Sequence, residues 1–104
     1  MHHVSVQQFH EKALDPGKTV LIDVRTPSEH SEGHIPGAKN IPLDQLESQV
    51  DRLRGFETVY AHCKLGGRSS QGCEFLEKSG LANVVNVDGG FEAWKSAEFE
   101  VEKS

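Results

Sequence analysis

Thr58-Val59-Tyr60-Ala61-His62-Cys63-Lys64-Leu65-Gly66-Gly67-Arg68-Ser69 holds, in order, a short apolar run, a loop with one thiol, two glycines and two cations, and the start of a helical pattern. A buried strand that ends in a tight loop and runs directly into a helix is the basic unit of an α/β fold. It also makes an anion cradle. The positive end of the helix, Lys64, Arg68 and backbone N–H groups freed to converge by Gly66 and Gly67 all favour negative charge there. A cysteine reacts as thiolate, and at an ordinary pKa of about 8.5 little of it is ionised at neutral pH. The surroundings of Cys63 therefore matter as much as the thiol.

Working outward, Thr19-Val20-Leu21-Ile22-Asp23-Val24 and Val84-Val85-Asn86-Val87 are further short apolar runs rich in β-branched residues, the pattern of strands buried on both faces. Ala38-Lys39-Asn40-Ile41-Pro42 reads as a short extended piece. Helical patterns alternate with these runs. Ser5 and Gln8 form a capping-box pair before Val6, Phe9, Ala13 and Leu14, and Asp15-Pro16-Gly17 ends that helix. Thr26-Pro27-Ser28-Glu29 starts a brief one. Leu43, Leu46, Val50 and Leu53 repeat at helical spacing up to Gly55. Ser69, Cys73 and Leu76 mark the inward face of the helix after the loop, which stops at Ser79-Gly80, and Asp88-Gly89-Gly90 turns into a last helix with Phe91 and Trp94 facing inward. The tail from Glu98 to Glu102 reads as surface, and Met1-His2-His3 is given no role. Strands separated by helices need right-handed crossovers, so helices should cover both faces of a parallel sheet, with ligands outside the carboxyl ends of the strands. Cys63 sits at such an end.

The chain of 104 residues fits one domain, residues 1–104, with one core. Eleven Lys and Arg against sixteen Asp and Glu give a net charge of -5, which opposes binding to nucleic acid and to anionic lipid. The sequence has neither a membrane span nor a basic segment followed by an apolar one at its start, so a cytoplasmic location is expected. Two cysteines are too few for a disulfide framework. The six histidines show no metal spacing, and no metal or cofactor is expected.

No general base lies within the loop. His62 precedes Cys63, but adjacent side chains on a strand point to opposite faces, so it is poorly placed to take the thiol proton. A pre-ionised thiolate needs no base, which suits sulfur or phosphoryl transfer better than acyl chemistry.

Asp23-Val24-Arg25 with Glu29, Gly33-His34-Ile35-Pro36-Gly37-Ala38-Lys39-Asn40-Ile41-Pro42, the Cys63-x-x-Gly66-x-Arg68-Ser69 loop and Asp88-Gly89-Gly90-Phe91-x-x-Trp94 together resemble the rhodanese family of sulfurtransferases over nearly the whole chain. The resemblance implies a three-layer α/β/α fold with a five-stranded parallel sheet flanked by helices. It implies that Cys63 takes a sulfane sulfur from thiosulfate or a persulfide, holds it as a cysteine persulfide and passes it to cyanide or a thiol. Residues Lys64, Leu65, Gly66, Gly67, Arg68 and Ser69 would cradle the sulfur, with Lys64 and Arg68 attracting the sulfonate end of thiosulfate. Related phosphatases and arsenate reductases carry His-Cys-x5-Arg. Here His62 and Cys63 match, but four residues, not five, separate Cys63 from Arg68, and in these relatives the shorter loop goes with sulfur. A small-oxyanion phosphatase or arsenate reductase is the alternative enzyme. A persulfide carrier that delivers only to a sulfur-relay partner protein is a third reading.

Relatives usually carry an aromatic residue where His30 stands, and a glycine and a proline where Glu98 and Glu100 stand. Cys73 reads as core packing, with a resolving thiol as the alternative, Trp94 as core, and His34 as a structural hydrogen-bonding residue rather than a ligand. Asp23 and Arg25 could line the pocket; the expectation is rather that Arg25 pairs with Glu29 and fixes the loop.

Overall fold

A computed structural model describes residues 1–12 and 14–103. The elements run β1 (His2–Ser5), α1 (Val6–Glu11), β2 (Thr19–Asp23), α2 (Pro27–Glu32), β3 (Lys39–Asn40), a 3₁₀ turn (Leu43–Gln45), α3 (Leu46–Leu53), β4 (Thr58–His62), α4 (Gly67–Lys78), β5 (Val84–Asp88) and α5 (Gly90–Ser96). The strands form one parallel sheet in the order β1-β5-β4-β2-β3. The expected architecture is present, helices on both faces included.

The three inner strands, β2, β4 and β5, divide their side chains between two cores. Val20, Ile22, Val59, Ala61 and Cys63 pack with Leu46, Val50, Cys73 and Leu76 beneath α3 and α4. Leu21, Tyr60, Val85 and Val87 pack on the other face with Phe9, Phe91 and Trp94 of α1 and α5. Period-2 alternation buried on both sides is why these runs read as continuously apolar.

Both capping boxes form. Gln8 N–H donates to Ser5 Oγ and Ser5 N–H to Gln8 Oε1, and Thr26 and Glu29 repeat the arrangement at α2. The first helix ends at Glu11, before the Asp15 turn, and Ala13 lies outside the described residues. Two expectations change. His2 and His3, given no role from sequence, begin an edge strand, His2–Ser5, with His3 opposite Asn86 and Val4 opposite Val87. The tail is not simply surface, because Phe99 and Val101 pack against the α1/α5 core. Phe99 stacks on His10, with ring centroids 3.8 Å apart.

In the tail, Glu98 holds a backbone position that suits glycine. It has φ 62°, a left-handed conformation that strains any residue with a Cβ. Glu98→Gly should therefore raise stability by about 0.5–1 kcal/mol, read as a higher urea midpoint, because relief of strain exceeds the added freedom of the unfolded chain.

Candidate active site

β4 delivers Cys63 to the carboxyl edge of the sheet, and α4 begins four residues later. Cys63 is buried, yet its Sγ accepts from the Gly66 N–H at 3.0 Å and from the Ser69 hydroxyl at 3.4 Å. Burial alone would raise the thiol pKa. Hydrogen bonds from the Ser69 hydroxyl and the N–H groups of Ser69, Gly66 and Leu65 outweigh it and hold the pKa below the ordinary cysteine value. Gly66 takes φ 113°, which turns its N–H onto the sulfur. Gly67 does not share that conformation; it is the first residue of α4, with helical backbone.

The back of the loop is held by α5. Phe91 N–H donates to the Cys63 carbonyl at 2.8 Å and Glu92 N–H to the Lys64 carbonyl at 3.0 Å. A trans peptide points its C=O and the next N–H in opposite directions. Gripping the Lys64 carbonyl from one side therefore turns the Leu65 N–H toward the sulfur. The Asp88-Gly89-Gly90 turn thus shapes the cradle from behind as well as starting a helix.

The charged residues pair differently from the expectation. Arg25 does not bind Glu29. Its Nε and Nη2 reach Asp23 Oδ1 at 2.9 Å and Oδ2 at 2.7 Å, and Nη2 also donates to the Gly33 carbonyl. Asp23 and Arg25 are two apart on an extended chain and so share a face. Both are buried. Burial would raise the Asp23 pKa, but Arg25, His62 and His30 together lower it. Glu29 instead takes Arg68, with Nη1 to Oε1 at 2.7 Å and Nη2 to Oε2 at 2.9 Å. Lys64 is exposed.

His62 faces away from the thiol, with Nε2 3.9 Å from Asp23 Oδ2, and burial pushes its pKa down to about 4. It is neutral at physiological pH and holds no bond to the sulfur, as strand alternation implies. His34 places Nδ1 against the His30 carbonyl and Nε2 against Glu102, a structural role. His30 stacks on His34, with ring centroids 3.6 Å apart, and its Nδ1 lies 2.9 Å from Asp23 Oδ2. Cys73 is fully buried and burial pushes its thiol up to about 12, so it is inert packing. Trp94 is core, its Nε1 donating to the Glu100 carbonyl.

Among the described residues no group of His, Cys, Asp and Glu could hold a metal ion, and no helix is long and apolar enough to cross a membrane. A cleft of about 420 Å³ opens beside the loop, lined by Glu29, Lys64, Phe91 and Lys95 among others. A cavity of about 480 Å³ between β3 and α3 includes no loop residue and lies apart from the thiol.

A parallel α/β sheet with an anion-stabilised thiol at one strand end defines the class of cysteine-loop α/β domains. Within it, residues 5–97 match the family described as Rhodanese-like domain, and the chain belongs to that family. It is 29% identical over 94 residues to a sulfurtransferase of Allochromatium vinosum, covering 90% of this chain and 88% of that one. It is 43% identical over 77 residues to the uncharacterized protein YqhL of Bacillus subtilis, covering 74% of this chain and 61% of YqhL. It is also 31% identical over 91 residues to the putative sulfur carrier protein YrkF of the same organism, covering 88% of this chain and 49% of YrkF. The chain therefore spans about half to nine-tenths of these relatives. A rhodanese-like domain protein of Staphylococcus aureus superposes with TM-score 0.84 at 32% identity, covering 100% of this chain and 99% of that one.

The thiol's donors make a prediction. Ser69→Ala removes the hydroxyl that does most to lower the Cys63 pKa, so the pH midpoint of Cys63 alkylation should move up relative to the native protein. Iodoacetamide labelling across pH, read by intact mass, checks it.

Acid sensitivity follows from the same groups. The His62 pKa falls from 6.5 to about 4 on folding and that of Glu29 from 4.5 to about 2. Both are depressed in the folded state, so between folded and ordinary values the unfolded chain binds more protons. Their contribution is present above the ordinary values and is lost as pH falls. The urea midpoint should begin to drop below pH 6.5 and fall further below 4.5.

Proposed function

We propose that this chain is a sulfurtransferase of the rhodanese type, acting in the cytoplasm as one domain over residues 1–104. Cys63 attacks the outer sulfur of thiosulfate or a persulfide, a new S–S bond forms, the donor's S–S bond breaks, and sulfite or a thiolate leaves. The Cys63 persulfide then gives that sulfur to cyanide or a thiol. Lys64, Leu65, Gly66, Gly67, Arg68 and Ser69 form the substrate loop, with Asp23, Arg25 and Glu29 fixing its surroundings. The carrying observation is a Cys63 sulfur that accepts from the Gly66 N–H and the Ser69 hydroxyl, with no base in contact. Such a cradle stabilises a thiolate and, one atom further out, a persulfide anion.

Intact mass after exposure to a sulfane donor tests this. The native protein and Cys73→Ala should each gain the mass of one sulfur. Sulfur confined to Cys73, or turnover of an aryl phosphate instead, would overturn the reading. Similarity to a putative sulfur carrier protein supports a second reading, delivery to a sulfur-relay partner. Cyanide turnover without a partner separates the two, since a dedicated carrier would load but not turn over.

A further inference from the structure

If Cys63 carries sulfur as proposed above, the loop must also choose its donor, and the charge around it bears on that choice. Arg68 stands in the first turn of α4, and both its terminal nitrogens are taken by the two oxygens of Glu29. Glu29 is itself held. Its Oε1 also accepts from the Thr26 N–H and the Thr26 hydroxyl, each at 3.1 Å, as part of the α2 capping box. The carboxylate is thus anchored to a helix start and presents a finished bidentate acceptor to Arg68. Arg68 first, then Thr26, holds the Glu29 pKa at about 2, so the carboxylate stays charged at any physiological pH. Arg25 is likewise neutralised by Asp23. Lys95, on the same cleft, pairs with Glu92 at 3.1 Å. That leaves Lys64 and Lys103, whose exposed ammonium groups are screened by solvent.

The net result is a loop with directional N–H donors but little uncompensated positive charge. Thiosulfate brings two negative charges to a site that already holds a thiolate. The reacting group of a persulfide brings at most one. We propose that Glu29 is a positioning residue for donor selection, cancelling Arg68 so that Cys63 is loaded from a persulfide in preference to a dianionic donor. Sulfur passes as in the general reaction: Cys63 thiolate bonds to the outer sulfur, the donor S–S bond breaks, and the donor leaves as its thiolate.

The test is Cys63 loading, followed by intact mass against donor concentration, with thiosulfate and with cysteine persulfide, in the native protein and Glu29→Gln. Glutamine can keep the capping box through its carbonyl oxygen while removing the charge and the second acceptor that Arg68 uses. Native protein should load at lower concentrations of cysteine persulfide than of thiosulfate, and inorganic sulfate should not compete. In Glu29→Gln the thiosulfate concentration for half-loading should fall about tenfold, sulfate should become a competitor, and loading from persulfide should change less than about twofold. A donor ratio unchanged by Glu29→Gln overturns the proposal while leaving the sulfurtransferase reading intact. Failure of both donors to load Cys63 in either protein overturns both. Should Glu29→Gln not fold, competition by sulfate at low concentration in the native protein, or preference for thiosulfate there, is sufficient to overturn it.

Discussion

Cys63→Ala will gain no sulfur from any donor, and will do so as a folded protein. Sulfur acceptance requires a nucleophilic sulfur at the strand end, and the other thiol cannot replace it: Cys73 is sealed in the α4 core and its pKa is pushed up to about 12. Loss of a covalent nucleophile typically costs on the order of 10⁴-fold or more. The fold should survive because one sulfur atom is removed from a site whose backbone is held independently. Phe91 and Glu92 still bind the carbonyls of position 63 and of Lys64, and the Ser69 hydroxyl keeps the Gly66 carbonyl as a partner. The small cavity and the freed N–H together cost less than about 2 kcal/mol. Intact mass reads the first outcome and a urea titration the second. Sulfur loading on the Cys63→Ala protein would remove Cys63 from the mechanism.

The elements legible in the sequence were those whose burial is two-sided or whose caps are local. Thr19–Asp23 and Thr58–His62 read as strands because both faces are covered, which makes nearly every position apolar. Thr26 and Glu29 read as a cap because the two partners are three residues apart. The edge strand His2–Ser5 was not legible; it has one aliphatic residue, is largely exposed, and owes its conformation to pairing with a strand more than eighty positions away. The partner of Glu29 is hidden in the sequence for a related reason. Arg25 is close in sequence, but period-2 geometry gives it to Asp23 and leaves Glu29 to an arginine 39 residues on. Asp23 and Arg25 being two apart was the signal that could have settled it. The two loop glycines look alike in sequence, yet only Gly66 takes the left-handed conformation. Nothing local announced that the Gly89-Gly90 turn would serve the thiol loop, since that contact joins the ends of two strands.

Gly90→Ala should unsettle both the fold and the chemistry, although residue 90 touches no substrate in the proposed reaction. Gly90 has φ 57°, and a Cβ there would drive into the Cys63 carbonyl oxygen, with the Lys64 carbonyl oxygen 2.8 Å away and its carbon 2.9 Å. All three are backbone atoms, so no rotamer relieves the overlap. Either α5 backs away, losing the Phe91 and Glu92 hydrogen bonds to those carbonyls, or the loop is pushed toward the thiol side. Left-handed strain and overpacking together should cost about 3 kcal/mol, lowering the melting temperature by more than about 10 °C. In the folded fraction, sulfur loading of Cys63 should slow on the order of 100-fold, because freeing the Lys64 carbonyl lets the Leu65 N–H turn off the sulfur and donors displaced by about 1 Å lose that much rate. Gly67→Ala is the matched control. Its Cβ would meet nothing within 4 Å and its φ is not left-handed, so stability should be unchanged or slightly raised by the gain in helix propensity. Equal tolerance at both positions, measured by thermal unfolding and by intact mass after donor exposure, would mean that α5 does not hold the loop. If only Gly90→Ala fails, the cradle depends on the close approach that a missing side chain allows at the start of α5.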